Sequence, residues 1–368
     1  MRSAPLLVPA AIAALVAVPA TQAPAVVTLD WSGFVTAAYT FNIDEPKSDT
    51  NAGRVFDQED NTFQVPLAEL AVTGGVDDGP SFNLDLNFGD VADSIHSAGL
   101  LDDVEGFDVQ QAYVSYKGFI FGKFVTLHGA EVIESPYNMN YSRSYLFGYA
   151  IPFTHTGIMY TTEVGGIGLK GAVVTGWDNF EDNNDSKSYM AMVAVPIGDQ
   201  GSVSLSGMYG PEERSDESEE DGIDQNEDSP RSLIDLVASF SPSDGIDLVF
   251  NADWGTEEEA AADGDDAEWW GAAAYIDAML TETFGVAGRA EFFSDTDGAR
   301  GLNGDVSTFG GTDVWEVTLT GHQAYGENAM ARLEVRYDSA SDEIFEDGDG
   351  DSQDSQLTLA GEVIFTFP

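Results

Sequence analysis

Period-two alternation of apolar and polar residues dominates the chain. Leu29, Trp31, Val35, Ala37, Tyr39 and Phe41 share one parity, and Thr28, Asp30, Ser32, Thr36 and Thr40 share the other. This is the signature of strands with one apolar and one polar face. Phe82, Leu84, Leu86 and Phe88 against Ser81, Asn83, Asp85 and Asn87 repeat it, as do Ile246, Leu248, Phe250, Ala252 and Trp254 against Asp247, Asn251 and Asp253. Near the end, Ala331, Leu333, Val335 and Tyr337 oppose Arg332, Glu334 and Arg336, and the last segment gathers Leu357, Leu359, Val363, Phe365 and Phe367 on one face. No segment has a helical apolar period of comparable strength. The pattern predicts strands at 27–42, 62–75, 81–90, 107–117, 119–127, 154–164, 166–178, 187–197, 201–210, 231–241, 245–255, 268–279, 283–294, 312–323, 327–339 and 354–367.

Short and long connections alternate between these strands. Val76 to Pro80, Gly118, Gly165, Gly198 to Gln200, Pro242 to Asp244, Leu280 to Glu282 and His322 to Gly326 lie at or near tight turns, and every other link is a long polar loop. A sandwich has no reason to sort its loops in this way. A transmembrane β-barrel does, with short turns at the periplasmic rim and long loops outside. About 16 strands, an even count, places both termini on the periplasmic side around a water-filled lumen. The expectation is therefore an all-β, antiparallel transmembrane barrel. Its apolar face meets lipid, where every backbone amide needs an internal partner. Its polar face meets water, where Lys170, Arg289, Arg332, Glu334 and Arg336 line the pore at little cost, whereas burial in a soluble core would be expensive.

Charge sharpens this picture. The chain holds 65 acidic and 14 basic residues, a formal charge of −51, which excludes a nucleic-acid partner. Much of the acid lies in windows beginning at Pro211, Thr256 and Asp342. Charge this dense stays solvated, so these windows read as outer loops. The excess suits either a salt-loving host or cation selection. There is no cysteine, so a continuous hydrogen-bonded sheet, not disulfides, must supply stability. At the start, Arg2, the apolar run Leu6 to Val18 and Ala23-Pro24-Ala25 read as a cleaved secretory signal over 1–25, followed by a single barrel over 26–368.

One stretch stands apart. His128 to Gly157, HGAEVIESPYNMNYSRSYLFGYAIPFTHTG, is aromatic, carries a single arginine and has a histidine near each end. With its lead-in from Gly122, and with Gln111-Ala112-Tyr113-Val114 before it, it resembles the OmpL-like β-barrel porins of Gram-negative outer membranes. The motif spans about a tenth of the chain. The resemblance implies an outer-membrane pore for small solutes. One departure is Pro368, which follows Phe365 and Phe367 where such barrels usually end on an aromatic. By strand count the stretch is the third long loop, which in general porins folds inward and narrows the channel. Glu131, Glu134, Arg143, His128 and His155 are then the constriction residues over about 128–153, with the two glutamates and Arg143 facing each other across water. The alternative is a structural brace in which Arg143 pairs with Glu134.

Other chemistry is weaker. Asp347-Gly348-Asp349-Gly350-Asp351 opens like a calcium loop, but Thr358 stands where glutamate is needed. His128, His155 and Ser142 or Ser144 lack a nucleophile elbow and a third orienting carboxylate. Trp177, Trp254, Trp269, Trp270 and Trp315 read as an interfacial girdle. The expectation is a non-enzymatic porin without metal or cofactor, cation-preferring, whose partners are outer-membrane lipid, small solutes and cations. A homotrimer enters by analogy only. A sugar- or oligopeptide-specific channel is the alternative in the same architecture, and a secreted β-fold adhesion or binding protein the alternative of another class.

Overall fold

The computed structural model describes residues 27–100, 104–212, 229–261, 263–302 and 311–368. The leader region and most of the acidic window that begins at Pro211 lie outside these residues. Strand β1 is Val27–Asn42; β2 comes in two pieces, Thr62–Gln64 and Ala68–Val76, both paired with β1. Then follow β3 Ser81–Phe88, β4 Phe107–Tyr116, β5 Phe119–Val125, β6 Thr154–Val164, β7 Ile167–Val174 and β8 Ser188–Ile197. The second half holds β9 Gly201–Pro211, β10 Pro230–Ser243, β11 Ile246–Glu257, β12 Ala267–Met279, β13 Phe284–Asp295, β14 Thr312–Tyr325, β15 Ala329–Ala340 and β16 Ser355–Phe367. Each strand pairs antiparallel with its neighbours in sequence, and β1 closes on β16 from Gly33 opposite Phe367 to Asn42 opposite Thr358. The result is a closed 16-strand barrel. Among the described residues no helix is long and apolar enough to cross a membrane.

The connections sort as the sequence predicts. Lys117-Gly118 and Gly165-Gly166 close two of the hairpins. Positive φ at Lys117, Gly118, Gly165 and Gly166 matches the backbone twist of a two-residue hairpin turn. The opposite rim carries the long loops, one of which includes the short helix α1, Asp90–Ser94.

Side-chain parity also follows the pattern. Leu29, Trp31, Leu248, Phe250, Leu333, Val363 and Phe365 point outward and are exposed. Trp254 stands opposite Trp270, whose ring packs tilted against Phe292 at 5.0 Å, and Trp315 packs tilted against Tyr337 at 5.4 Å, forming an aromatic belt on the outer side of β11–β15. Trp177 and Trp269 depart from the girdle reading because both are buried inside. Trp269 lies opposite Gly255, where a Cβ would meet its indole ring at 2.2 Å, so glycine makes the space the ring occupies. One bulge in β4, between the partners of Asp85 and Leu86, turns both Gln110 and Gln111 toward acceptors on the inner side.

Candidate functional site

The third long loop, residues 126–153 and here called L3, leaves β5 and returns to β6 with its ends joined, Thr126 N–H donating to Phe153 O at 2.9 Å. Gly129 takes φ +85 at the first bend, a conformation that suits glycine. A single 3₁₀ turn at Ser135–Tyr137, begun by Pro136, and a π-type turn at Leu146–Ala150 shape the rest. So irregular a segment leaves many backbone groups without regular partners, and each must be satisfied before burial.

The inner wall satisfies them. Glu334 of β15 accepts from Tyr141 N–H at 2.7 Å and Ser142 N–H at 3.0 Å; Glu291 of β13 accepts from Tyr145 N–H at 2.7 Å and Leu146 N–H at 2.6 Å. The guanidinia serve the carbonyls. Arg289 donates to Ser142 O at 2.6 Å, Arg332 to Ser135 O at 3.0 Å and Asn138 O at 2.5 Å, and Arg336 to Arg143 O at 2.6 Å. Trp269 of β12 donates its indole N–H to Ala150 O at 3.1 Å. The loop thus lies against strands β12 to β15 as against a mould of donors and acceptors, in positions that parity alone assigns to the pore lining.

The predicted constriction residues separate. Glu131 is buried, paired with Arg289 at 2.7 Å, and accepts from Ser144 N–H and Oγ–H at 2.7 and 2.6 Å. Arg143 faces neither glutamate across water. It donates to the carbonyls of Tyr141, Val132 and Ile133, and its guanidinium lies 5.2 Å from the Phe56 ring centroid. Glu134 instead accepts from Gln110 Nε2 of β4 at 2.5 Å, and burial pushes its carboxyl above the usual range. His128 Nδ1 meets Ser206 Oγ of β9 at 2.7 Å, and burial, followed by His155, lowers its pKa to about 3, so it is neutral. His155 donates from Nδ1 to Gly176 O at 2.9 Å. Lys170, by contrast, is exposed in the periplasmic half of β7.

Further residues of the site come from outer loops. Arg54 in the first long loop reaches Asp338 on the inner wall of β15 at 2.5 Å and pairs with Asp57. Arg300 donates to Tyr149 O at 2.7 Å and lies within 4.9 Å of both the Trp177 and Trp269 rings, while Arg231 covers Trp177 at 4.8 Å. Asp178 accepts from Phe153 and Thr154 N–H at 2.7 and 2.9 Å. The lumen's outward half is thereby lined with buried groups. Near the short turns Glu163, Lys170 and Asp247 are exposed and form a wet cup, whereas Arg332 and Glu362, beneath L3, stay buried.

A family model described as "Putative beta-barrel porin-2, OmpL-like" matches residues 28–367. The chain belongs to the OmpL-like β-barrel porin family. Solved structures carry the same fold. The outer-membrane channel DcaP of Acinetobacter baumannii is 15% identical, with a TM-score of 0.62 over 94% of this chain and 99% of that one. The anion-selective porin from Comamonas acidovorans is 13% identical, with a TM-score of 0.62 over 93% and 100%. Salmonella typhi OmpF in complex with daunomycin is 12% identical, with a TM-score of 0.61 over 92% and 97%. No curated protein sequence matches. This porin is an outer-membrane protein whose apolar outer face meets lipid. In the porin's last long loop, the Asp347 segment, which reads as the start of a calcium loop, bonds to itself: Asp347 accepts from Asp349, Asp351 and Gln353.

Proposed function

We propose that this porin passes small hydrophilic solutes and ions by passive diffusion, through a water-filled path that prefers cations. The observation that carries the reading is the separation of charge on the inner face. Arg54, Arg143, Arg289, Arg332 and Arg336 are buried and engaged with wall or loop groups. Inward acids Asp30, Glu163, Asp247 and Asp277 near the short turns, and Glu69 farther up β2, remain exposed or half-exposed, with Lys170 the cation among them. A permeating ion therefore meets a field set by carboxylates in a confined space, where it is screened less than at an open surface. No catalytic step, metal or cofactor enters the reading. A cleaved leader over 1–25 belongs to the same proposal, and N-terminal sequencing of mature protein checks it. The test of selectivity is the reversal potential of purified protein in a planar bilayer under a potassium chloride gradient. A potential of the sign for potassium supports the reading; the sign for chloride overturns it.

A further inference from the structure

L3 is not held equally on all sides. Against β12–β15 nearly every turn of the loop is fastened by the wall contacts described above. Its first turns are pinned as well, through His128 to β9 and through Ala130 N–H to Asn251 of β11 at 3.1 Å. Toward β2–β4 the fastening thins to one side-chain contact, Gln110 with Glu134. There the 3₁₀ turn projects Tyr137, whose side chain is 73% exposed although it belongs to an otherwise buried aromatic loop.

The surroundings of Tyr137 are acidic. Glu69 of β2 and Glu134 both act on its hydroxyl, and these charges, after partial burial, push that group above the ordinary tyrosine range. Asp85 of β3 lies close enough to Glu69 and Glu134 to act on both. Among the described residues none of the three carboxylates forms an ion pair with a basic side chain. Asp85 accepts from Asn83 and Gln111, at 2.8 and 2.5 Å, whereas Glu69 Oε2 has no hydrogen-bond partner. Beside Ser135 a packing gap of about 10 Å³ is closed by Phe56 and Asp57 of the first long loop, Val91 of α1, Leu67, Tyr141 and Glu362. It has room for about one water molecule.

We infer that solutes pass on the β1–β4 side of L3 and that Tyr137, over Glu69 and Glu134, is the specificity-determining residue there, favouring solutes that carry an ammonium group. This rests on the channel reading. The chemistry is that of an aromatic face beside unpaired carboxylates: the ring attracts a cation through its quadrupole, the carboxylates through charge, and the ring's bulk limits size.

The experiment is single-channel recording with potassium chloride and with tetraethylammonium chloride as the organic probe. It uses wild type, Tyr137→Ala, Tyr137→Phe and Glu69→Gln with Glu134→Gln, each checked for folding by heat-modifiable migration. Tyr137→Ala should raise potassium chloride conductance roughly two-fold or more and lower the permeability of tetraethylammonium relative to potassium, while Tyr137→Phe stays near wild type. The double glutamine variant should lower the preference for both cations. Folded Tyr137→Ala with wild-type conductance and tetraethylammonium permeability overturns the inference, as does an unchanged reversal potential in the double variant. Absence of any conductance in folded wild type overturns the channel reading itself, a result separable from the first two.

Discussion

Arg332 and Lys170 both point inward from strands of one barrel, yet they do different work. Arg332 is 3% exposed and grips three carbonyls of L3 while pairing with Glu362 at 3.3 Å; Lys170, equally the fourth residue after a short turn but out of reach of L3, stands in water. The same division runs round the whole inner wall. Where infolded loops reach the wall, charged side chains are their hydrogen-bond partners, and where no loop reaches they face solvent. Inward parity therefore tells which side chains avoid lipid. Whether they meet water depends on the loops.

The largest effect expected from this division follows removal of a buried charge. Arg289→Met removes the basic partner of Glu131 at 2.7 Å and the nearer of two basic partners of Glu316, at 2.5 Å, leaving Arg336 at 3.8 Å, and should cost about 3–5 kcal/mol. Thermal loss of heat-modifiable migration reads the cost, and adding Glu131→Gln and Glu316→Gln should restore part of it. Leu333→Arg comes next. Leu333 is 74% exposed on the lipid face, and a charge there should cost about 2–4 kcal/mol near the bilayer midplane. Its neighbour Arg332 offers a comparison of parities: Arg332→Ala should leave the barrel assembled but strip L3 of donors, costing about 1–3 kcal/mol and making L3 more open to protease.

A pH titration isolates a destabilising contribution that is absent at neutral pH and grows as the pH falls. His128 is neutral because burial holds its pKa at about 3, against 6.5 when free. A base with a depressed native pKa stabilises the fold fully above its free value and loses that stability as the pH falls. Stability should therefore decline by roughly 1.4 kcal/mol per pH unit from about pH 6.5 toward pH 3 on this account, and His128→Gln should remove that part of the slope. Smallest of all, Asp247→Asn in the exposed cup should change stability by no more than about 0.5 kcal/mol, because no buried partner depends on it.

Much of the fold was legible in the sequence. The outward faces of β1, β11, β15 and β16 follow the alternation residue by residue, and the sorting of links into Lys117-Gly118-type turns and long loops predicted the closed barrel. The site was legible only in part. Aromatic density marked L3, but nothing in its own residues names Glu291 or Glu334 as partners of its amides, since those contacts join positions about 150 and 190 apart. Arg54 bound to Asp338 across the chain is the same case. Trp269 could have been found: Trp270 beside it faces lipid, and adjacent strand residues face opposite sides. Trp177 offered no such signal because it sits in a loop without period. The bulge that turns both Gln110 and Gln111 inward was invisible, as it breaks the very alternation that locates strands.

The chain's lack of cysteine makes the central division directly measurable. Asp247→Cys in the cup and Thr318→Cys beneath L3, each the single thiol of its variant, are treated in folded barrels with a small charged thiol reagent, and the labelling rates compared. The account predicts fast labelling at position 247 and labelling at 318 slower by about two orders of magnitude or more, as for a group reached only through local opening. Equal rates at the two positions would mean that water fills the outward half of the lumen as freely as the cup, and the division of the inner wall would be wrong.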